Sequence, residues 1–261
     1  MAVKTEIGYT TPDVITVRGK NLSTEIFGKF DFIDMIYWLN FSRMPAPREK
    51  AMANLILVAA ADHGLTPSAL SARLTFLGAP ESVQGAVASG LLGAGSRFLG
   101  TVQNVAEMFK KGAADLDANA DDETVMECAR RLVREYRANR TPISGLGHNI
   151  HVHGDPRVPV LREISEQHGY FGKHWRLALA IPQVLEQERG KRLPLNGAGA
   201  LGAIIADMGL DGIFGRGLML VGRAAGLVAH IREEAESPTG QELWDLVLDQ
   251  DPRNVKATSG Y

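Results

Sequence analysis

At 261 residues the chain is long enough to bury a sizeable core, as one large domain or two unequal ones. With 45% hydrophobic and 22% charged residues it has an ordinary globular composition, and a formal net charge of -2 excludes bulk attraction to nucleic acid while leaving room for a small anionic ligand held by a few arginines. Cys128 is the single cysteine, which excludes an intrachain disulfide and a Cys-rich zinc site.

The opening MAVKTEIGYTTPD lacks a charged-then-apolar leader pattern. No run is read as reaching membrane-spanning length, so the expectation is a cytoplasmic protein with no membrane partner. VITVRGK (Val14–Lys20) alternates apolar and polar residues, which predicts a short strand or hairpin. Phe30, Ile33, Ile36 and Leu39 then recur at three-residue steps, as on a buried helix face. A second apolar helix is predicted from Glu49 to Ala61, with Gly64 as its stop, and Thr66-Pro67-Ser68 starts the next. Further on, Val125, Ala129, Leu132, Val133 and Tyr136 form one stripe, with the arginines between them facing water and Cys128 on the stripe side. Helices are also predicted over Val160–His168, His174–Arg189 and Gly215–Glu236.

Two segments interrupt this rhythm. Asn139–Pro159 is a loop rich in Gly, Pro and His, and RLPLNGAGALG holds three glycines ahead of an apolar run. A dinucleotide or phosphate loop needs a preceding strand, and a P-loop needs Gly-Lys-Ser/Thr; neither is present. GAGALG is therefore read as a helix start whose small residues admit a ligand or another helix.

Several polar residues stand out against this apolar frame. His148, His151, His153 and Asp155 have a spacing that can hold a metal, and HVHGD resembles the opening of some metallo-hydrolase sites. Those sites usually continue with another histidine, where this chain has Pro156, so no metal is expected. His63 either interacts with the negative end of its helix dipole or waits at a cleft edge for an anionic oxygen. Arg223 lies in LMLVGRAAGLVAH with no other charge, and a buried arginine needs an anionic partner, from the protein or from a ligand. Arg97, in GAGSRFLG, is ambiguous.

Five segments in order resemble one family. FIDMIYWLNFSRMP is similar to an early helix ending in R-x-P, and ADHGLTPSALSAR to D-H-x-x-x-x-S-x-x-x-A-R. SGLGHNIHVHGDPR resembles G-x-G-H-x-x-x-x-x-x-D-P-R, LNGAGALGAIIADMG lies where relatives have N-V-D-G, and GRAAGLVAHIREE resembles R-x-x-G-x-x-A-H. The family is the citrate synthase superfamily, especially its short citryl-CoA lyases and the citrate-cleaving domain of ATP-citrate lyase; the likeness covers roughly residues 27 to 240. It implies an all-α fold with a short N-terminal β segment. A large helical domain (1–97 and 203–261) and a small one (98–202) are expected, usually in a homodimer or higher oligomer.

The resemblance also implies Claisen chemistry on a CoA thioester, without a metal, that joins or separates an acyl-CoA such as acetyl-CoA and a 2-oxo acid such as oxaloacetate. Carried over position by position, His148 would bond the oxygen of the oxo-acid carbon, as acid in condensation and base in cleavage. His63, Arg157 and Arg223 would hold carboxylates. Gly145, Leu146 and Gly147 would lie against the adenine end of CoA, and Asn196 and Ala198 would line the thioester pocket.

Two departures matter. Where synthases carry P-L-H-G this chain reads Ala94-Gly95-Ser96-Arg97, and Gly95-Ser96-Arg97-Phe98 is similar to the G-D-R-F of the ATP-citrate lyase domain; Ser96 thus takes a catalytic position. The base of N-V-D-G falls on Ala198. Asp207, nine residues on, lies about 13.5 Å further along the helix and on the other face, so it is no substitute. Asn149 replaces an arginine common in relatives, and Ser237-Pro238 stands where synthases have an arginine reaching into the neighbouring subunit. The expected activity is citryl-CoA lyase-like. The alternatives are a condensing enzyme for a non-citrate acid and a catalytically silent CoA-ester-binding regulator.

Overall fold

The computed structural model describes residues 3–190 and 192–254. Three short antiparallel strands, β1 (Gly8–Thr10), β2 (Ile15–Val17) and β3 (Lys20–Asn21), form one sheet with Gly8 opposite Val17 and Thr16 opposite Asn21. The β2–β3 hairpin turns on Arg18 and Gly19, both at positive φ, as a two-residue hairpin loop requires. A π-helical turn, Leu22–Ile26, leads into eleven helices among the described residues. The all-α fold with a small N-terminal sheet is as expected.

The predicted helices are present. Those expected from Glu49, Val160, His174 and Gly215 start one to three residues earlier, while the first starts at Phe32 and leaves Phe30 outside it, because Asp31 caps it. α1 is Phe32–Phe41, started by an Asp31–Asp34 capping box; α2 is Pro47–Ala61, with proline in the first turn. α3 (Pro67–Gly78) is capped by Thr66, whose side chain accepts the Ala69 N–H. α4 (Val83–Leu92), α5 (Thr101–Gly112) and α6 (Asp122–Ala138) follow. On α6 the predicted stripe is buried from Val125 to Val133 and half-buried at Tyr136, and Cys128 gives its thiol to the Gly112 carbonyl at 3.2 Å. Burial pushes that thiol above its ordinary pKa, so it is inert. The remaining helices are α7 (Arg157–Gln167), α8 (Lys173–Arg189), α9 (Gly197–Asp207), α10 (Gly212–Glu236) and α11 (Gly240–Gln250).

One apolar core runs through α1, α2 and α5–α10, and a smaller cluster sits between α3, α4 and α10. The domain boundary expected at 97/98 falls in the turn before α5, and the one at 202/203 falls inside α9. α9 is buried on nearly all sides: Gly199 to Ala206 are all enclosed, and a β-carbon at Gly202 would overlap Val105 of α5.

α10 corrects one expectation. Its 25 residues, with a window of mean hydropathy 1.3, are long and apolar enough to cross a membrane, so a run of that length does exist. Its packing gives the reason for the hydropathy: α10 lies against α2, α3, α4 and α5 as a core helix, and β-carbons at Gly222 and Gly226 would overlap the carbonyls of Leu57 and Ala61 in α2. That close approach brings Arg223 to the end of α2.

Candidate active site

A cavity of about 820 Å³ opens between the end of α2, the start of α3, the α4–α5 turn, the 144–157 loop, the start of α9 and α10. His63, Ser96, Gly145, Leu146, Gly147, His148, Arg157, Asn196, Ala198 and Arg223 all line it. Residues separated by up to 160 positions thus share one wall.

The start of α9 and the 144–147 loop are built as one unit. Asn196 caps α9 by accepting the Gly199 N–H at 3.0 Å, donates its side-chain N–H to the Gly147 carbonyl at 2.7 Å, and donates its backbone N–H to Gly145 at 3.0 Å. Gly147 N–H reaches Pro194 at 2.8 Å, and Leu146 bridges Leu195. Gly145 and Gly147 have φ of +87° and +68°, and a β-carbon on Gly145 would stand 2.8 Å from the Gly199 Cα. The glycines therefore let a loop lie against a helix start. Among the described residues no strand leads into α9, which agrees with the helix-start reading.

Asp155, with its carboxyl fully buried, ties the next layer together. It accepts Arg157 Nε at 2.9 Å, Arg157 Nη2 at 2.7 Å and the Gly197 N–H at 2.7 Å. Burial alone would raise this carboxyl; the Arg157 side chain, then the Arg157 and Gly197 N–H groups, outweigh it and hold the pKa far below the carboxylate range. Arg157 therefore keeps only its Nη1 edge and one Nη2 hydrogen for a ligand.

Arg223, 7% exposed, donates Nε to the Ala60 carbonyl at 2.9 Å and Nη1 to Thr66 Oγ1 at 3.4 Å. Among the described residues it forms no ion pair with a carboxylate, and its charge is offset by the protein only at a distance, through Asp62, so a buried guanidinium faces the cavity without a contacting anion. Burial pulls its pKa below the ordinary value, but an arginine remains cationic.

His148 has a fixed tautomer. Its Nδ1 accepts the N–H groups of Ile150 at 3.1 Å and His151 at 3.2 Å, so the hydrogen of the neutral ring sits on Nε2. Its pKa is lowered by burial first and by His151 next. That of His63 is lowered by partial desolvation, then by Arg157, His148 and His151. Both shifts favour the neutral ring.

The metal set considered from spacing is not the set that converges. His63, His148 and His151 bring ring nitrogens within 4.8 Å of one another, while Asp155 is occupied by Arg157 and His153 is not in the group. A tetrahedral zinc separates its ligand atoms by about 3.4 Å, from Zn–N bonds of about 2.0–2.1 Å. His148 would also have to give up either its Nε2 hydrogen or two backbone bonds at Nδ1 to ligate. With Arg157 and Arg223 beside it, the cluster suits an anion better than a cation.

Ala198 is half-buried in the first turn of α9, and among the described residues no Asp or Glu lines the cavity. Asp207 is spent elsewhere: it caps α8 by accepting N–H groups of Gly172, His174 and Trp175 at 2.9, 3.1 and 3.0 Å, and contacts His174 Nδ1 at 2.7 Å. Ser96 is exposed at the rim, where its carbonyl accepts the Thr101 hydroxyl at 2.8 Å. Sequence reasoning missed the clamp by Asp155 and the approach of His151; the DPR spacing pointed to Arg157 but carried no sign that its neighbour would bind it.

A family model described as citrate synthase, C-terminal domain, matches residues 2–243. Citrate synthase 2 of Bacillus subtilis (strain 168) is 26% identical over 209 residues, covering 78% of this chain and 52% of that protein. A probable ATP-citrate synthase of Dictyostelium discoideum is 25% identical over 244 residues, covering 87% and 38%. The chain thus spans about half or less of the length of these curated relatives. The solved citryl-CoA lyase from Hydrogenobacter thermophilus superposes with a TM-score of 0.79 at 30% identity, covering 100% of this chain and 96% of that one. An ATP citrate lyase mutant from Methanosaeta concilii, in complex with (3S)-citryl-CoA, has a TM-score of 0.74 at 23% identity, covering 90% and 39%, a likeness of fold.

Proposed function

The chain belongs to the citrate synthase family, and from that membership we propose that it is a citryl-CoA lyase-like enzyme. In this reading it breaks a carbon–carbon bond beside a CoA thioester and releases an acyl-CoA, such as acetyl-CoA, and a 2-oxo acid, such as oxaloacetate. The observation that carries the reading is the convergence of His63, His148, Arg157 and Arg223 with the Gly145–Gly147 loop and the start of α9 on one cavity.

The substrate is a 3-hydroxyacyl-CoA with a carboxylate on its hydroxyl-bearing carbon. Arg223 and the open edge of Arg157 hold carboxylate oxygen, which gives the buried Arg223 guanidinium a contacting anion. His148 is not the base in cleavage that the resemblance implies, because its Nδ1 is taken by two backbone N–H groups and its Nε2 bears the hydrogen. It donates that Nε2–H in a hydrogen bond to the hydroxyl oxygen as that oxygen becomes a carbonyl, and His63, whose lowered pKa favours the neutral ring, takes the hydroxyl proton. The electrons of the broken C2–C3 bond pass into the thioester as an enolate, which takes a proton at C2. CoA enters as part of the substrate, and no step as drawn needs a metal.

Ala198 bears on the proton step at C2. Condensation has to remove a proton from a thioester methyl, a weak carbon acid, and among the described residues no carboxylate lines the cavity to do it. Cleavage passes the same transition state in reverse, so the missing carboxylate slows both directions alike, and water takes its place in the proton transfer.

The test is a panel of CoA esters, citryl-CoA first, with products identified by mass spectrometry. Release of an acyl-CoA together with a 2-oxo acid is expected. Tight binding of these esters with no cleavage of any would overturn the lyase reading in favour of a silent CoA-ester binder.

A further inference from the structure

α10 grips the end of α2 with three residues on one of its faces. Arg223 donates to the Ala60 carbonyl, Gly226 packs directly on the Ala61 carbonyl, and His230 donates to Asp62 Oδ1 at 2.8 Å. The spacing of three and four residues keeps these groups in line along one helix. Asp62 is the C-cap of α2, and its Oδ2 accepts the Gly64 N–H at 2.8 Å, closing a tight turn whose middle residue is His63. Gly64 has φ of +73°, so the turn is one that glycine makes readily.

The tautomer of His230 is set from behind. Arg73, 2% exposed, directs Nε and Nη2 at His230 Nδ1 at 3.1 and 3.0 Å. A guanidinium only donates, so Nδ1 carries the lone pair and Nε2 the hydrogen that reaches Asp62. Arg73 is itself held by Glu234 at 2.8 Å and by Glu233; Glu234 also receives the N–H groups of Thr239 and Gly240. A chain of donors and acceptors thus runs from a buried ion pair to the turn bearing His63. None of Arg73, His230 and Asp62 lines the cavity.

We propose that His230, oriented by Arg73, is a positioning residue for His63. It acts through Asp62 to hold the Asp62–His63–Gly64 turn and so aims the His63 ring into the cavity. An exposed pair such as His230–Asp62 adds little stability in itself; its consequence lies in the placement of the next residue. The inference rests on the reading of the cavity as a 2-oxo acid site, but its structural half is testable without turnover.

The experiment compares the full chain with His230→Ala and His230→Gln. Glutamine can offer its carbonyl to Arg73 and its amide N–H to Asp62. Imidazole NMR of His63, assigned with His63→Asn, reports the ring, and calorimetry gives affinities for oxaloacetate and for CoA. In His230→Ala the His63 signals should shift or broaden and oxaloacetate affinity should fall about tenfold, the worth of one hydrogen bond to a charged group. CoA affinity should stay within about twofold, and His230→Gln should restore both readouts. Unchanged His63 signals in a folded His230→Ala protein would overturn the proposal. So would parallel losses of oxaloacetate and CoA affinity that glutamine fails to rescue, the mark of a merely structural residue. If the parent binds no 2-oxo acid, the function proposed above falls, while the His63 spectrum still decides this inference.

Discussion

Asp155 holds Arg157 at two points, Nε to Oδ1 at 2.9 Å and Nη2 to Oδ2 at 2.7 Å, and the same Oδ2 receives the Gly197 N–H. The pair fixes the start of α9 to the histidine loop, and it presents Arg157 to the cavity already half-neutralised. Removing the acid leaves a cation and a helix N–H without their partner. Asp155→Ala should therefore lose about 3–5 kcal/mol in urea unfolding. A loss under about 1 kcal/mol would show that water replaces the carboxylate without penalty.

The same carboxyl sets an acid limit. Its folded pKa is depressed, so its contribution is fully present above the unfolded value of about 3.9 and fades as pH falls below it. The parent should lose stability steeply below about pH 4, and Asp155→Asn should show a flatter profile there. Identical slopes would remove Asp155 from the account of acid unfolding.

His148 donates into the cavity from a loop, with little packing of its own. His148→Ala should lower kcat for CoA-ester cleavage by about 10²–10³, the usual effect of losing a donor to a developing charge. Its unfolding free energy should stay within about 1 kcal/mol of the parent. Parent-like turnover would remove His148 from the chemistry.

Arg223 supplies a buried guanidinium with no contacting carboxylate among the described residues. Oxaloacetate or a simpler 2-oxo acid should raise the melting temperature of the parent. In Arg223→Gln that shift should nearly vanish, since a charge-assisted bond of about 1.5–3 kcal/mol corresponds to roughly a ten- to hundredfold loss of affinity. An undiminished shift would place the carboxylate elsewhere.

Acid should also weaken the site. The pKa values of His63 and His148 are both lowered in the folded protein, so the unfolded chain binds these protons more readily. Stability, and cleavage that needs neutral rings, should hold above about pH 6.5 and decline below it as protonation begins to favour the unfolded state. A rate that rises on acidification through this range would contradict the roles given to the two rings.

Ala198 makes a separate prediction about the proton at C2. Deuterium washout from methyl-labelled acetyl-CoA in the presence of a 2-oxo acid should be slow in the parent. Ala198→Asp should speed it by about 10²–10⁴ if the variant still binds the CoA ester. Rapid exchange by the parent would mean that another group serves as base.

Much of this protein was legible as a string. Apolar spacing marked the buried stripe of α6 and most of the helices, because a side chain's face follows directly from a period of 3.6 residues. Asn196 ahead of a small-residue run was legible as a helix start, and the order of five motifs was enough to name the family. The resemblance likewise set Ala198 where relatives carry an acid, a reading made on the motif alone.

What the string could not carry is which polar groups meet. Arg157 reads as a free cation until folding sets Asp155 against it, and His63 joins His148 and His151 only where the end of α2 and the 144–157 loop line one cavity. His230 reads as one more helical histidine until Arg73, 157 residues away, fixes which of its nitrogens bears the hydrogen. Periodicity depends on neighbours within a few residues and survives in sequence. Hydrogen-bond direction and charge compensation depend on atoms within about 3 Å in space, and only the tertiary packing decides which atoms those are.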